Sequence, residues 1–263
     1  MKFNESWLKE YVKTDLSADQ IGARLTLAGL ELDGIEPAAG DFSGVVVAKI
    51  ESLEPHPDAK KLRVCRVNDG RTNDLQVICG AANAYEGMVT ALATVGAKLP
   101  GLKIKKAKLR GVESFGMLCS ESELGMAESA SGILDLSQDA PVGMDIREYL
   151  QLNDQILDID LTPNRADCFS LRGIAREMKV LAGADIDGFE QETVAAKIDA
   201  QVDVKIEAPK ACPKYASRII RDVDMTRKTP LWMVERLRRA GVRSLNPVVD
   251  VTNYVMLELG QPM

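Results

Sequence analysis

Histidine is almost missing from this chain: His56 is the only one among 263 residues. Without a second histidine, neither a His-rich metal site nor a Ser, His and Asp catalytic set can be proposed, except around His56 itself. The G-x-x-x-x-G-K-[ST] loop that binds nucleotide phosphates is also absent, which removes the argument for a P-loop NTPase. We therefore expect no catalytic residue and no metal ligand among these residues.

Cysteine pairs and long apolar runs are missing too. The five cysteines are widely spaced and form no C-x-x-C pair, which favours reduced thiols over a disulfide framework or a zinc site. No apolar run approaches the roughly 20 residues that a membrane helix needs. The first residues, MKFNESWLKEY, lack the apolar core of a signal peptide. We therefore expect a globular cytoplasmic protein that makes no membrane contact.

What the chain does have is an uneven distribution of charge around a net charge of -6. Residues 98–111, KLPGLKIKKAKLRG, hold five Lys, one Arg and no acidic residue, and residues 205–243 hold eleven Lys or Arg against four acidic residues. Basic zones on an acidic body can steer a polyanion such as RNA to chosen surfaces. A lysine-rich edge strand that discourages aggregation explains the first zone equally well, so both interpretations stay open.

Helix signals frame the two ends of the first 200 residues. Ser17 can be an N-cap with Gln20 completing a capping box, which predicts a helix over 18–28. Farther along, QILDIDLT at 155–162 alternates like a strand, and Asp167 can cap the helix that follows it. We expect this strand and helix to pack with the N-terminal helix, so that the residues between them form an inserted domain.

The intervening residues are rich in short β-like runs. Four of them, at 44–50, 62–67, 75–79 and 88–95, are separated by Pro, Gly, Asn and Asp. KIKKAKLRG supplies a fifth candidate strand, whose apolar members are Leu102, Ile104, Ala107 and Leu109. Five short strands with a basic face are typical of the OB-fold barrel that binds oligonucleotides, whereas a sandwich needs more strands.

Residues beyond 200 combine strand-like and helix-like segments. QVDVKIEA at 201–208 and YASRIIRDV around 215–223 alternate as strands do. Thr229, followed by proline, predicts the start of one helix, and Ser244 or Asn246, followed by proline, predicts the start of another. Because the chain stops just after the second helix, we expect an incomplete domain.

His56 lies in the turn HPDAKK, between two prolines that restrict the backbone. A polar turn that sets the entry angle of the next strand accounts for these residues. In the sharper interpretation, Lys60, Lys61 and Arg63 form one rim with the 98–111 zone and meet a phosphate backbone there.

Several blocks together resemble a known family. HPDAKKLRV, VICGAANAYEGMVTALATVGAKLPG, KIKKAKLRGVESFGMLCSESELG and GILDL resemble the tRNA-binding OB-fold domain of aminoacyl-tRNA synthetases and their cofactors. MKFNESWLKEYV, LDIDLTPNRADCFSLRGIAREMKVLAG and NPVVDVTNYVMLELGQPM, in that order, resemble the beta subunits of bacterial phenylalanyl-tRNA synthetases. The resemblance covers essentially the whole chain.

The resemblance implies a multidomain α+β fold, in which a five-stranded OB-fold β-barrel is inserted into an N-terminal α+β domain and is followed by the start of an α+β editing domain. The implied boundaries are 1–39 and 149–200 for the N-terminal domain, 40–148 for the barrel and 201–263 for the beginning of the editing domain. A free-standing, non-catalytic tRNA-binding module or chaperone is the alternative, but such a module needs neither flanking helix.

The family also implies the partners and the chemistry. It joins phenylalanine to tRNA(Phe) with ATP and Mg²⁺, as an α2β2 heterotetramer whose alpha subunit carries the aminoacylation centre. We expect neither ATP nor Mg²⁺ to bind this fragment, and no DNA partner. Because the family's chain continues far beyond GQPM, we expect these residues to be inactive alone.

Two sets of site residues follow. Asn253 and Pro262 fall on family positions that line the editing pocket, which hydrolyses tyrosine wrongly attached to the tRNA, although Asn253 could instead be a helix residue bonded to its surroundings. The candidate tRNA contacts are Lys60, Lys61, Arg63, Lys98, Lys103, Lys105, Lys106, Lys108 and Arg110.

Overall fold

Most strands lie in an unbroken run between helices near the two ends of residues 1–72, 74–187 and 193–263, the part of the chain that the computed structural model describes. The strands are β1 (Lys2–Asn4), β2 (Glu31–Pro37), β3 (Ser43–Pro55), β4 (Arg63–Asn68), β5 (Leu75–Cys79), β6 (Val89–Leu99), β7 (Leu102–Lys103), β8 (Ala107–Leu109), β9 (Val112–Ser114), β10 (Gly116–Cys119) and β11 (Gln155–Asp160). The helices are α1 (Glu5–Lys9), α2 (Ala18–Leu27), α3 (Ile146–Tyr149), α4 (Leu171–Ala182), α5 (Leu231–Arg239) and α6 (Pro247–Leu259). This mixture of helices and strands confirms the expected class.

The first body is an antiparallel sheet in the order β1, β11, β2. Its central strand, β11, is separated in sequence from both neighbours by the whole β-rich middle of the chain. Apolar side chains of α1, α2 and α4 are buried against this sheet, among them Trp7, Leu25 and Ile174. Residues from both sides of the middle segment therefore share one core.

The predicted N-cap is correct for one helix of this body and wrong for another. The predicted capping box of α2 is present, since Gln20 N–H donates to Ser17 Oγ at 3.4 Å and Ser17 N–H donates to Gln20 Oε1 at 3.0 Å. The predicted N-cap Asp167 is wrong, because it lies in a 3-10 helix ahead of α4. Ser170 caps α4 instead, accepting from Gly173 N–H at 3.1 Å.

The second body is a sheet in the order β10, β6, β3, β4, β5, with β7 paired to the end of β6. Four of its strands, β3 to β6, confirm four of the predicted runs. Within the described residues no β-ladder joins β5 to β10, but the two outer strands approach each other. Phe115 N–H donates to Gln76 O at 2.9 Å, and Ile78 N–H donates to Ser114 Oγ at 3.0 Å. All five cysteines are free thiols, as expected.

The fifth predicted strand is wrong as a single strand. The structure divides it into β7 and β8, and of its apolar members only Ile104 is buried. Leu102 and Ile104 share one parity, whereas Ala107 and Leu109 share the other, so one strand cannot place all four on the same face. The last strand of the sheet is instead β10, which pairs with β6.

The strands predicted at 201–208 and 215–223 are also wrong, since residues 193–230 contain no strand or helix. Apolar side chains of this segment, including Val202 and Ile220, are exposed. An alternating pattern becomes a strand only where a partner strand supplies hydrogen bonds, and none lies beside this segment within the described residues. The described part of 201–263 is therefore helical where it is regular.

Candidate nucleic-acid interface

The HPDAKK turn is held by two local hydrogen bonds that both involve His56. His56 N–H donates to Leu62 O at 3.0 Å, and Asp58 N–H donates to the ring nitrogen Nδ1 of His56 at 3.1 Å. Because Nδ1 accepts this hydrogen bond, we assign the ring hydrogen to Nε2. The imidazole is buried, with 4% of His56 exposed, whereas Lys60 and Lys61 are exposed.

A tight hairpin of β8 and β9 carries part of the basic segment. Leu109 and Val112 are its last paired residues, and Arg110 and Gly111 between them have φ angles of 43° and 88°. Positive φ at both central residues is typical of a type I′ turn, which glycine adopts freely and arginine rarely does. The hairpin thus places an arginine at its tip in a backbone conformation that its side chain does not favour.

The turn and the hairpin tip are joined by two hydrogen bonds. His56 Nε2–H donates to Leu109 O at 3.1 Å. Arg110 Nη1 donates to Asp58 O at 3.4 Å. The structure therefore brings Lys60 and Lys61 of the turn to the same surface as the cations of the hairpin, although they lie far apart in sequence.

Most of the predicted RNA-contacting cations are exposed and unpaired. Within the described residues no carboxylate lies at salt-bridge distance from Lys60, Lys61, Lys98, Lys103, Lys105, Lys108 or Arg110. Lys98 and Lys103 are also direct partners across β6 and β7. Like charges directly opposite each other destabilise a strand pair, so a bound anion would stabilise this edge of the sheet.

The other two predicted cations are already engaged within the protein. Lys106 Nζ lies 2.8 Å from the Glu113 carboxylate and 4.8 Å from the centre of the Phe115 ring. The guanidinium of Arg63 donates to three carbonyl oxygens in the loop after β5, those of Ala81, Ala82 and Ala84. Arg63 thus holds this loop in place, and both cations are less accessible to RNA than the other seven.

Aromatic side chains offer few platforms for base stacking on this sheet. Phe42 is buried, with the Arg147 guanidinium 4.7 Å from its ring centre. Phe115 is partly buried, and Tyr85 is exposed. Since OB folds that bind single strands rely on stacked aromatic residues, contacts with phosphate charge should outweigh stacking here.

Part of the second basic zone, residues 205–243, is bonded within the protein and is only partly exposed to solvent. Arg238 of α5 donates to Met126 O and Ala38 O, both at 2.9 Å, and pairs with Glu235 at 2.9 Å. Its guanidinium thereby connects α5 to the β-rich body and to the end of β2. No sequence pattern distinguished this arginine from the solvated cations around it.

Arg239 makes a second and more buried connection. It is 4% exposed and donates to Asp154 Oδ2 at 2.9 Å and to Leu150 O at 2.7 Å. Asp154 is also buried and accepts further hydrogen bonds from Asn4 and Ser6 of the first body. These groups form a polar junction where α5, the first body and the end of the β-rich segment meet.

Asp250 is a fully buried carboxylate at the start of α6. Burial alone would raise its pKa, but hydrogen bonds outweigh burial and hold the pKa below its usual value. The donors are the hydroxyls of Thr229 and Ser244 and the N–H of Leu245. The prediction of Thr229 as the N-cap of α5 is wrong, because Pro230 holds that position and the Thr229 hydroxyl donates to Asp250 instead. Asn246, one of the two predicted choices, caps α6.

Acidification is expected to loosen this region. Because the pKa of Asp250 is lowered by folding, its contribution to stability is present above about pH 4, the range of an unfolded Asp, and is lost as the pH falls through the lower folded pKa. Asp250→Asn should therefore lower stability at neutral pH and flatten its loss in acid. Denaturant titrations from pH 7 to pH 3 measure this, and a pH profile that is parallel to that of the parent chain would contradict it.

The two residues expected in an editing pocket lie at the C-terminal end of the structure. Asn253 is partly buried in the middle of α6, and Pro262 is exposed after the helix has ended at Gly260. No enclosing pocket wall connects them among the described residues. Their role remains a prediction from the resemblance.

One cluster of potential metal ligands is held by an arginine. The ligand atoms of Asp167, Cys168 and Glu177 lie within 4.8 Å of one another. The Arg165 guanidinium lies among them, 3.2 Å from Asp167, 2.7 Å from Glu177 and 2.9 Å from the Cys168 sulfur. A cation in that position makes the cluster an ion-pair network that does not fit Mg²⁺.

Comparison with known proteins assigns two domains and a set of relatives. Residues 45–145 match the putative tRNA binding domain, and residues 211–263 match the B3/4 domain. The chain is 56% identical over its whole length to the phenylalanine–tRNA ligase beta subunit of Methylococcus capsulatus and 55% identical to that of Hahella chejuensis. It spans about a third of the length of these curated relatives, 33% in both cases.

A solved structure, the MetRS related protein from Pyrococcus horikoshii, is 24% identical and covers 39% of this chain and 87% of its own, with a TM-score of 0.30. That score is too low for a comparison of the folds. Among the described residues, no helix has both the length and the apolar character to cross a membrane.

Proposed function

Because the chain belongs to the family of phenylalanine–tRNA ligase beta subunits, we propose that it supplies tRNA binding to an enzyme that joins phenylalanine to tRNA(Phe). The observation that carries this proposal is the edge of the β-rich sheet, where Lys98 and Lys103 oppose each other and where, within the described residues, Lys105 and Lys108 have no acidic partner. This edge lies within the residues that match the tRNA binding domain.

Binding at this edge is electrostatic in origin. Each cation that engages an RNA phosphate releases condensed counterions, which adds a favourable and salt-sensitive contribution to affinity. Contacts of this kind fix the position of the RNA without reading its sequence. The edge therefore holds and orients the tRNA, while recognition of tRNA(Phe) against other tRNAs requires further contacts.

The finer architecture is part of the same proposal. We propose that the β3–β6 and β10 sheet is a partly open barrel of the OB type within 40–148, inserted between 1–39 and 149–200. The close approach of Phe115 and Gln76 at its outer strands supports this arrangement. Residues 201–263 then begin the editing domain, as the B3/4 match over 211–263 suggests.

The catalytic setting lies outside these residues. We propose an α2β2 heterotetramer in the cytoplasm whose alpha subunit uses ATP and Mg²⁺ for aminoacylation, and copurification with an alpha-type subunit tests the partnership. The one cluster of three potential metal ligands among the described residues does not fit Mg²⁺, because the Arg165 guanidinium lies within it. This chain's own contribution is to bind tRNA and to form part of the editing domain, which contains Asn253 and Pro262.

Neutralising the basic edge should weaken tRNA binding and flatten its salt dependence. The variant combines Lys98→Gln, Lys103→Gln, Lys105→Gln and Lys108→Gln. Each phosphate contact that it loses should make the negative slope of log affinity against log salt shallower by about 0.7 to 0.9. Affinities at several salt concentrations, measured in the full-length protein, give this slope. Lys179→Gln, an exposed lysine on α4, is the matched control.

An unchanged slope in the fourfold variant would favour the other interpretation of this segment. The lysines would then serve as a solvated edge that discourages strand pairing between molecules. In that case the fourfold variant, and not the Lys179 control, should show a greater tendency to aggregate.

A further inference from the structure

His56 occupies a position that the tRNA-binding proposal leaves unexplained. It is a buried imidazole whose two ring nitrogens are both used, Nδ1 by Asp58 N–H and Nε2 by Leu109 O. The second bond connects two segments that are 53 residues apart in sequence. The bond to Asp58 N–H stabilises the turn itself, whereas the bond to Leu109 O contributes nothing to the turn and connects it to the hairpin.

The hairpin that His56 contacts is well fixed only at its base. There Gln76 Nε2 donates to Glu113 O at 2.7 Å, and Phe115 N–H donates to Gln76 O at 2.9 Å. Residues 107–111 at the tip are all exposed. Apart from the pairing of β8 with β9, the described contacts of the tip are the hydrogen bond from His56 and the longer one from Arg110 to Asp58 O.

Electrostatic repulsion acts against this arrangement. Lys60 and Lys61 in the turn and Lys108 and Arg110 in the hairpin are four exposed cations on two separate loops, and none has a carboxylate partner among the described residues. Like charges repel, so repulsion among these cations opposes the contact between the two loops. This hydrogen bond is part-buried and comes from a buried imidazole, so water competes for it less than for a fully exposed one.

We propose that His56 is the positioning residue of the tRNA-binding surface: it fastens the hairpin tip to the turn, so that Lys60, Lys61, Lys108 and Arg110 engage phosphates of one RNA segment together. This inference rests on the proposed function. Loops fixed in advance lose less conformational entropy on binding, so the rigid surface binds more tightly than the same charges on mobile loops. His56 itself touches no RNA.

Two substitutions separate the two hydrogen bonds of His56. The amide of Asn in His56→Asn can replace Nδ1 and keep the turn, but it is too short to reach Leu109 O. The longer side chain in His56→Gln can place a donor near the position of Nε2. With tRNA and the full-length protein, we expect His56→Asn to lower affinity about tenfold and to reduce the salt slope, since the contacts of the hairpin tip are lost. His56→Gln should restore most of both.

A third variant distinguishes this inference from the proposed function. It combines Lys60→Gln, Lys61→Gln, Lys108→Gln and Arg110→Gln. If this fourfold variant binds tRNA as tightly as the parent, these four cations do not contact tRNA and the inference about His56 fails. The proposed function fails only if the separate variant at Lys98, Lys103, Lys105 and Lys108 also binds like the parent. If the third variant binds weakly but His56→Asn binds like the parent, the inference about His56 alone is overturned.

Adding His56→Asn to the fourfold variant tests the mechanism. In the neutralised background His56→Asn should have no further effect, because no cations remain for it to position. A further loss as large as that in the parent would show a general effect on folding and would overturn the inference. Hydrogen exchange of residues 107–112 should be faster in His56→Asn and close to the parent rate in His56→Gln, and unchanged exchange in His56→Asn would equally overturn it.

Discussion

Replacing Arg239 with alanine is expected to lower the free energy of unfolding by about 3–5 kcal/mol, because the buried carboxylate of Asp154 loses its cationic partner. The side chains of Asn4 and Ser6 still donate to Asp154, but they supply no compensating charge. Glu235, which is also buried and also pairs with Arg239, loses one of its two arginine partners. Denaturant unfolding of the variant and the parent measures the difference.

A surface arginine provides the comparison for this result. Arg176 of α4 is exposed, and Arg176→Ala should change stability by no more than about 0.5 kcal/mol. Arg239→Lys keeps the charge but lacks the fork that reaches both Asp154 and Leu150 O, so it should fall between the two. If Arg239→Ala and Arg176→Ala were equally stable, the junction would contribute nothing.

Alanine at Gly173 is expected to destabilise the chain despite being a better helix former. Helix propensity alone would favour alanine over glycine by about 1 kcal/mol. A Cβ at this position would lie 2.1 Å from Asp167 O and 2.8 Å from the Cys168 Cα, and main-chain atoms cannot move aside as flexible side chains do. Overpacking of this kind costs about 3 kcal/mol, which leaves a net loss of about 2 kcal/mol in the free energy of unfolding.

Gly34 is the matched control for that substitution. It lies in β2, its φ is not positive, and an added Cβ would meet nothing within 4 Å. Gly34→Ala should leave the melting temperature nearly unchanged, whereas Gly173→Ala should lower it by several degrees. Equal melting temperatures for the two variants would mean that the turn before α4 relaxes without cost.

The sequence predicts structure correctly where the interactions involve residues that are close together in the chain. The capping box at Ser17 and Gln20 involves atoms only three residues apart in sequence. Four strands of the β-rich body were predicted because their apolar runs are bounded by turn residues. The failure at 102–110 was also local, since the break in parity between Ile104 and Ala107 is visible in the sequence.

What could not be predicted depends on partners far away in the chain. The bond from His56 to Leu109 and the ion pair of Arg239 with Asp154 join residues that no local spacing relates. Composition places Arg238 and Arg239 in a basic zone, but only the packing of α5 shows that Arg239 is buried and that Arg238 is bonded to carbonyl groups of other segments. In the same way, the segment 201–223 has the alternation of strands without a neighbour to pair with.

The arrangement of β11 has a consequence for the order in which the chain acquires its structure during synthesis. Gln155 pairs with Pro37, so the middle segment leaves and re-enters the first body at adjacent points. The ribosome delivers β1 and β2 early, yet their common partner is made only after the entire β-rich body. Since domains generally fold as units as they emerge, that body should fold first on the nascent chain. The residues made first are then among the last to reach their native positions.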